Sequence, residues 1–288
     1  MKVSRRVEEY FVTLPSGLWL LLLFVLPTFV VLAIAFRPSD PFGGIGEGWT
    51  FDTLMGLGNP NYPAIIWRTV WLSFATTVIC ILAALPVSYY MARVSPSWRM
   101  RLMLLVIVPF WTSFLVRIFA WKVVLHPNGT FKALLVWLGL ITDQTMLLYR
   151  SEAVLLVMVY TFLPFAILPI YAAAEKFDMS LLEAARDLGA GRLTAFFRIF
   201  IPGIKRGLIT AILVVFIPAL GSYVIPDLVG GPQGEMIGNK IAQRTFVDRN
   251  LPHASALAAV LTLTVLLPLI GVMLVQGAKS GPIIREDA

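Results

Sequence analysis

Few side chains in this sequence could do chemistry. Two histidines, His126 and His253, and one cysteine, Cys80, are the whole supply of imidazole and thiol ligands in 288 residues. Neither histidine has a carboxylate or Cys80 at a metal-ligand spacing, so no metal site is expected. The phosphate-cradling pattern G-x-x-x-x-G-K-[ST] does not occur. GGIGEG from Gly43 does not fit G-x-G-x-x-G, and G-x-S-x-G is missing. The chain is therefore expected to be no enzyme and to bind no nucleotide itself. What remains is a charged cluster, Ser180, Glu183, Asp187 and Gly189, within SLLEAARDLG. A hydroxyl followed three residues later by a carboxylate reads as a capping box, in which Ser180 caps a helix amide and Glu183 reaches back to the Ser180 amide.

The cluster predicts a short amphipathic helix from Ser180 to Leu188. Leu181, Leu182, Ala185 and Leu188 form its apolar stripe, Glu183 and Asp187 lie an i, i+4 step apart on another face, and Gly189 provides a left-handed cap. A second helical segment, about 193–200, is expected to stop at Pro202. Glu183 therefore has two readings: its own helix end, or a partner.

The setting of this helix is lipid. The chain is 58% hydrophobic and 14% charged, with six apolar runs near 17–36, 67–91, 102–121, 153–173, 208–225 and 254–277. A spanning helix needs roughly 20 apolar residues, because hydrocarbon offers no partner to a backbone amide. The expected fold class is an all-α membrane protein with six transmembrane helices. The first run is longer than a cleaved signal segment and follows Glu8 and Glu9, so it reads as an anchor. Val3, Val7, Tyr10, Phe11 and Leu14 fall at the spacing of an amphipathic helix on the membrane surface.

Three parts are expected: 1–63 with the amphipathic segment, first span and first outer loop; 64–277 with the remaining five spans; and a tail at 278–288. The segment after His126 should form an interfacial helix through Phe131, Leu134, Leu135 and Leu138, and 225–239 an irregular outer loop dipping towards the membrane. Every span contains proline, as in kinked transporter helices.

Fourteen Lys and Arg lie in the N-terminal segment, 92–101, 174–207 and the tail, against seven in the other three loops. Both termini and the charged helix are therefore expected in the cytoplasm. The net charge of +7 follows from this bias and does not indicate nucleic-acid binding. Arg117 fits either snorkelling to the interface or a pathway lining, and Cys80 reads as a small packing residue. So few ionisable groups within the spans argue against a proton- or sodium-coupled secondary transporter.

Glu183-Ala184-Ala185, Gly189, Ile199 and Ile201-Pro202 resemble the EAA loop of the membrane subunits of binding-protein-dependent ABC importers, which have Leu where this chain has Ile201. PFWTSFLVRIFAW from Pro109, VYTFLPFAILPIY from Val159 and GSYVIPDLVGG from Gly221 look like the spermidine/putrescine branch. The resemblance implies a type I permease fold in a bacterial inner membrane. It also implies a coupling helix that docks on a separate ATPase through Glu183, Ala184, Ala185, Asp187 and Gly189. The implied partners are a second homologous permease, an ATPase dimer carrying ATP and Mg, and a periplasmic solute-binding protein. The implied solute is a polyamine; another small cationic or amino-acid-like solute is the alternative. A di- or trivalent cation needs carboxylates where it enters and aromatic faces along its way. Asp227, Tyr223, Trp111 and Tyr160 are the candidates. For Asp227 a loop cap or binding-protein contact is the rival reading, and for the three rings ordinary packing.

Overall fold

The structure, a computed structural model, describes residues 5–59 and 61–277, with side-chain surroundings for 13–59 and 61–266. The predicted tail and the first residues of the amphipathic segment lie outside the described residues. What is described is nearly all helix, with one isolated bridge between Ser39 and Ile45.

The long elements follow the apolar runs. Helices α1 (Thr13–Ile34), α2 (Asn61–Arg93) and α6 (Ser151–Glu175) are each long and apolar enough to cross a bilayer. Two bent helix pairs are long and apolar enough only when taken together: α3 (Pro96–Trp111) with α4 (Phe114–Val124), at 91°, and α8 (Arg192–Gly203) with α9 (Lys205–Leu220), at 74°. The last apolar run is α12 (Leu251–Gly277). Between them lie α5 (Thr130–Trp137), α7 (Ser180–Asp187), α10 (Val224–Val229) and α11 (Ile237–Ala242). Helix α2 runs unbroken through Pro86, and α6 through Pro164 and Pro169.

The bend between α3 and α4 departs from the continuous span expected at 102–121. After Ile107 the chain tightens into a 3₁₀ turn, Val108–Trp111, with Pro109 in its first two positions. Thr112 is then extended (ψ 149°) and Ser113 also leaves the helical region before α4 starts. Pro109 has no amide hydrogen to give an i−4 carbonyl and its ring crowds the preceding turn, which disfavours the regular α-helix there; the elbow itself is made at Thr112 and Ser113. The other break was expected at Pro202 but falls at Ile204 (φ −96°, ψ 14°). Pro202 follows a π turn, Phe196–Phe200, and occupies a first-turn position, where its missing amide costs no hydrogen bond.

The described residues fall into two compact units, one of 64–239 and the other of the described residues before 64 and after 239. In the first, α9 packs along α6, burying Val154, Val157, Met158, Ile170 and Ala174 of α6 and Ala211, Val215 and Ala219 of α9. Between lipid-embedded helices the hydrophobic effect gives no drive, so close van der Waals approach and small polar groups must hold them. Ser88 Oγ on α2 donates to the Ile167 carbonyl on α6 at 3.2 Å. In the second unit, α12 packs on the Leu26–Ile34 half of α1, and Tyr62 Oη bonds His253 Nε2 (2.6 Å) and accepts from Arg244 (3.1 Å).

Helix α5 confirms the helix expected after His126 but buries Lys132, whose Nζ donates to the Asp143 carbonyl at 2.6 Å. Phe131, Leu134 and Leu138 are left exposed, as a helix lying on a bilayer requires.

Candidate coupling helix and solute-path residues

Helix α7 sits where the sequence predicts it, but it starts differently. Met179, at the N-cap, is helical and gives no side-chain bond. The Ser180 amide instead donates to Asp178 Oδ1 at 3.0 Å. The Ser180 hydroxyl and this amide together hold the Asp178 carboxyl below its ordinary range. The predicted capping box is thus replaced by a carboxylate two residues upstream, with an equal claim on the same amide. Glu183 makes no hydrogen bond or ion pair among the described residues. It lines a cavity of about 500 Å³ with Arg93, Arg186, Arg192, Tyr89 and Phe196.

The far end is as predicted. Gly189 has φ +88°, the Ala190 amide donates to the Ala185 carbonyl at 2.9 Å, and the Gly189 amide to Arg186 at 2.9 Å. This six-to-one bond over a left-handed glycine closes the helix.

The apolar stripe divides into two edges. Leu182 and Ala185 are buried, whereas Leu181 is 50% and Leu188 90% exposed. One edge anchors the helix and the other faces outward with Glu183 and Asp187 exposed beside it. Below lies a knot of rings not foreseen from the sequence. Tyr89 of α2 meets Phe200 at 4.9 Å and Phe196 at 5.3 Å, and Phe177 of the α6–α7 link meets Phe200 at 5.4 Å. The spacing of Phe196 and Phe200, one helical turn apart in FFRIF, was the available signal.

The four solute-path candidates fall in two places. Trp111 stands at the α3–α4 elbow, 78% exposed. Tyr160 packs edge-on against Trp121 of α4 at 5.4 Å. Arg117 places its guanidinium 4.9 Å from the Phe110 ring centre. Tyr223 and Asp227 share another element: the Asp227 amide donates to the Tyr223 carbonyl at 3.0 Å, and both side chains are exposed. No ring contact or hydrogen bond joins Trp111 or Tyr160 to Tyr223 or Asp227 among the described residues.

The segment expected as an irregular loop is instead folded into α10, a 3₁₀ turn at Pro232–Gly234 and α11, and buries Ile225, Pro226, Val229, Met236 and Ile237. Its glycines explain the difference. A Cβ on Gly230 would lie 2.6 Å from the Pro226 carbonyl oxygen, and one on Gly238 would lie 2.6 Å from that of Ser222. Read as loop formers, these residues in fact permit close packing.

Helix α7 thus lies in the chain between the unbroken α6 and the bent pair α8–α9, anchored by one edge and with Leu181 and Leu188 exposed along the other. The family described as the binding-protein-dependent transport system inner membrane component matches residues 84–279. The chain belongs to this family. Relatives of the permease include the spermidine/putrescine transport system permease protein PotB of Haemophilus influenzae, 37% identical over 88% of this chain and 87% of that protein. PotB of Escherichia coli strain K12 is 34% identical over 85% of this chain and 89% of its own length. Among solved structures, a bacterial ABC transporter that imports the acidic polysaccharide alginate superimposes with a TM-score of 0.73, covering 96% of this chain and 97% of that one, at 19% identity. That likeness establishes the fold of the permease as that of an ABC importer membrane subunit.

Proposed function

We propose that this permease forms half of the translocation pathway of an ATP-driven polyamine importer, taking spermidine- or putrescine-like cations from a periplasmic binding protein. The observation that carries the solute class is the likeness to the PotB proteins, 37% identical over most of both chains. A second permease would complete the pathway, and an ATPase dimer would hold ATP and Mg. Helix α7 is the coupling helix in this reading: Glu183 and Asp187 present charge to the ATPase, Ala184 and Ala185 keep the helix slim and seated, and Gly189 closes it. Asp227 and Tyr223 receive the cation, and Trp111 and Tyr160 offer it aromatic faces.

The Lys/Arg bias supports an inner-membrane orientation with α7 and both termini in the cytoplasm. Carboxylate chemistry supports a cation over the alginate class, since Asp227 would repel an acidic sugar.

The test is reconstitution of the permease with its partner subunits and binding protein, followed by ATPase and uptake assays with spermidine, putrescine, basic amino acids and an acidic oligosaccharide. Stimulation by the polyamines is expected. Stimulation by any other solute with none by polyamines rejects the solute class. Transport without ATP rejects the importer reading.

A further inference from the structure

The segment bearing Tyr223 and Asp227 is held by side chains outside the candidate path, Asn239 within the segment and Arg68, Thr69 and Ser151 from neighbouring helices. Asn239, 9% exposed, uses both ends of its amide: Oδ1 accepts from the Met236 amide at 3.1 Å and Nδ2 donates to the Tyr223 carbonyl at 3.1 Å. That same carbonyl accepts the Asp227 amide, so Asn239 grips the turn that presents Asp227.

The second clamp comes from α2. Arg68 Nη1 donates to the carbonyls of Pro232 (3.1 Å) and Glu235 (3.4 Å). The neighbouring Thr69 Oγ1 accepts the Ile237 amide at 2.8 Å, and Ser151 on α6 donates to the Gln233 carbonyl at 2.6 Å.

The segment has no slack between these points. A Cβ on Gly234 would lie 2.8 Å from Val154 Cγ2, and one on Gly231 (φ +53°) 2.8 Å from the Tyr149 Cβ. A buried amide is costly unless it is bonded, and Asn239 bonds through both its oxygen and its nitrogen; the half-buried Arg68 likewise spends Nη1 on the backbone of the same segment. Both Arg68 bonds leave from one nitrogen, Nη1, so a single cationic donor group bridges the two carbonyls without needing a carboxylate.

We propose that Arg68 and Asn239 are positioning residues for transport: they fix 221–239 and thereby the placement of Tyr223 and Asp227. The effect on transport rests on the reading of Asp227 as a solute-path residue; the placement does not.

The experiment uses the complete transporter in nanodiscs, with Cys80→Ala and Asp227→Cys in the permease and a small maleimide as probe. Arg68→Gln and Asn239→Leu should each change the labelling rate at position 227 about tenfold, as local opening does. Arg68→Lys, which keeps the charge and one donor, should restore most of the original rate. Asn239→Asp keeps the acceptor for Met236 but not the amide donor to Tyr223, and it decides the matter if Arg68→Gln fails to assemble. Unchanged labelling in the assembled variants overturns the proposal. Uptake is measured in parallel with Asp227 intact. Altered labelling with unaltered uptake keeps the positioning role and removes Asp227 from the path, whereas lowered uptake with unaltered labelling overturns the positioning role.

Discussion

Gly207 of α9 crosses Ala173 of α6 so closely that a Cβ on residue 207 would lie 2.4 Å from the Ala173 Cβ and 2.7 Å from the Pro169 carbonyl oxygen. A backbone oxygen within a helix cannot turn aside, so Gly207→Ala must push α6 and α9 apart. The expected cost is about 1–3 kcal/mol, as for other overpacked sites, seen as a lower unfolding midpoint in detergent. Gly221→Ala, whose Cβ would meet nothing nearer than 3.9 Å, is the tolerated control. Equal midpoints for the two variants would disprove the contact.

Gly189 tests conformation without crowding. No atom lies within 4 Å of a Cβ there, yet φ is +88°. Gly189→Ala should cost about 1–2 kcal/mol locally, and Gly189→Val more, because left-handed backbone is disfavoured for L residues and most for branched ones. Insertion should survive while solute-stimulated ATPase falls. Parental uptake and ATPase in Gly189→Val would remove α7 from the coupling pathway.

The start of α7 separates two carboxylates. Asp178→Ala should fray the first turn, raising hydrogen exchange at Ser180–Leu182, while Glu183→Ala should not. The Asp178 carboxyl is held low, so its support is fully present above the unfolded value near 3.9 and is lost as pH falls below it. Fast exchange in Glu183→Ala would restore the capping box.

Orientation can be read by cysteine labelling in intact cells. Cysteines at Ser95 and Ser180, both exposed, should react only from the cytoplasm, and one at Gln233 only from outside. Gln233 is the suitable outer site because its side chain is exposed, whereas a side chain on Gly234 would strike Val154. Labelling at Ser180 from outside inverts the topology.

Asp227→Asn keeps shape and removes charge. If it meets the cation as an exposed pair worth up to about 1 kcal/mol, the apparent half-saturation should rise about fivefold, less at high salt. Uptake curves at several salt concentrations decide this, and a curve that does not move clears Asp227 of that role.

The hydropathy runs made the long helices legible because spanning length and apolar content are one-dimensional properties. Gly189 was legible for a similar reason: a helix end and a glycine are adjacent in the chain. Other features depended on packing. Asp178 took the amide assigned to Glu183 because two oxygens competed for one donor and only geometry could choose. Gly230, Gly234 and Gly238 read as loop because glycine signals both a turn and a close approach, and only a neighbour distinguishes them. Asn239 carries no local pattern at all; its partners are Met236, three residues away, and Tyr223, sixteen residues back.

The elbow between α3 and α4 also has a dielectric consequence. A straight span satisfies its own amides, but a helix restarted at Phe114 leaves its first amides without intrahelical acceptors, and Ser113 supplies no side-chain cap. Hydrocarbon cannot hydrate such groups, so this point must face water or protein polar atoms. Wherever water reaches it, the low-permittivity slab that an ion must cross becomes thinner. The self-energy of a multivalent cation falls with it, without any charged side chain being placed in the bilayer.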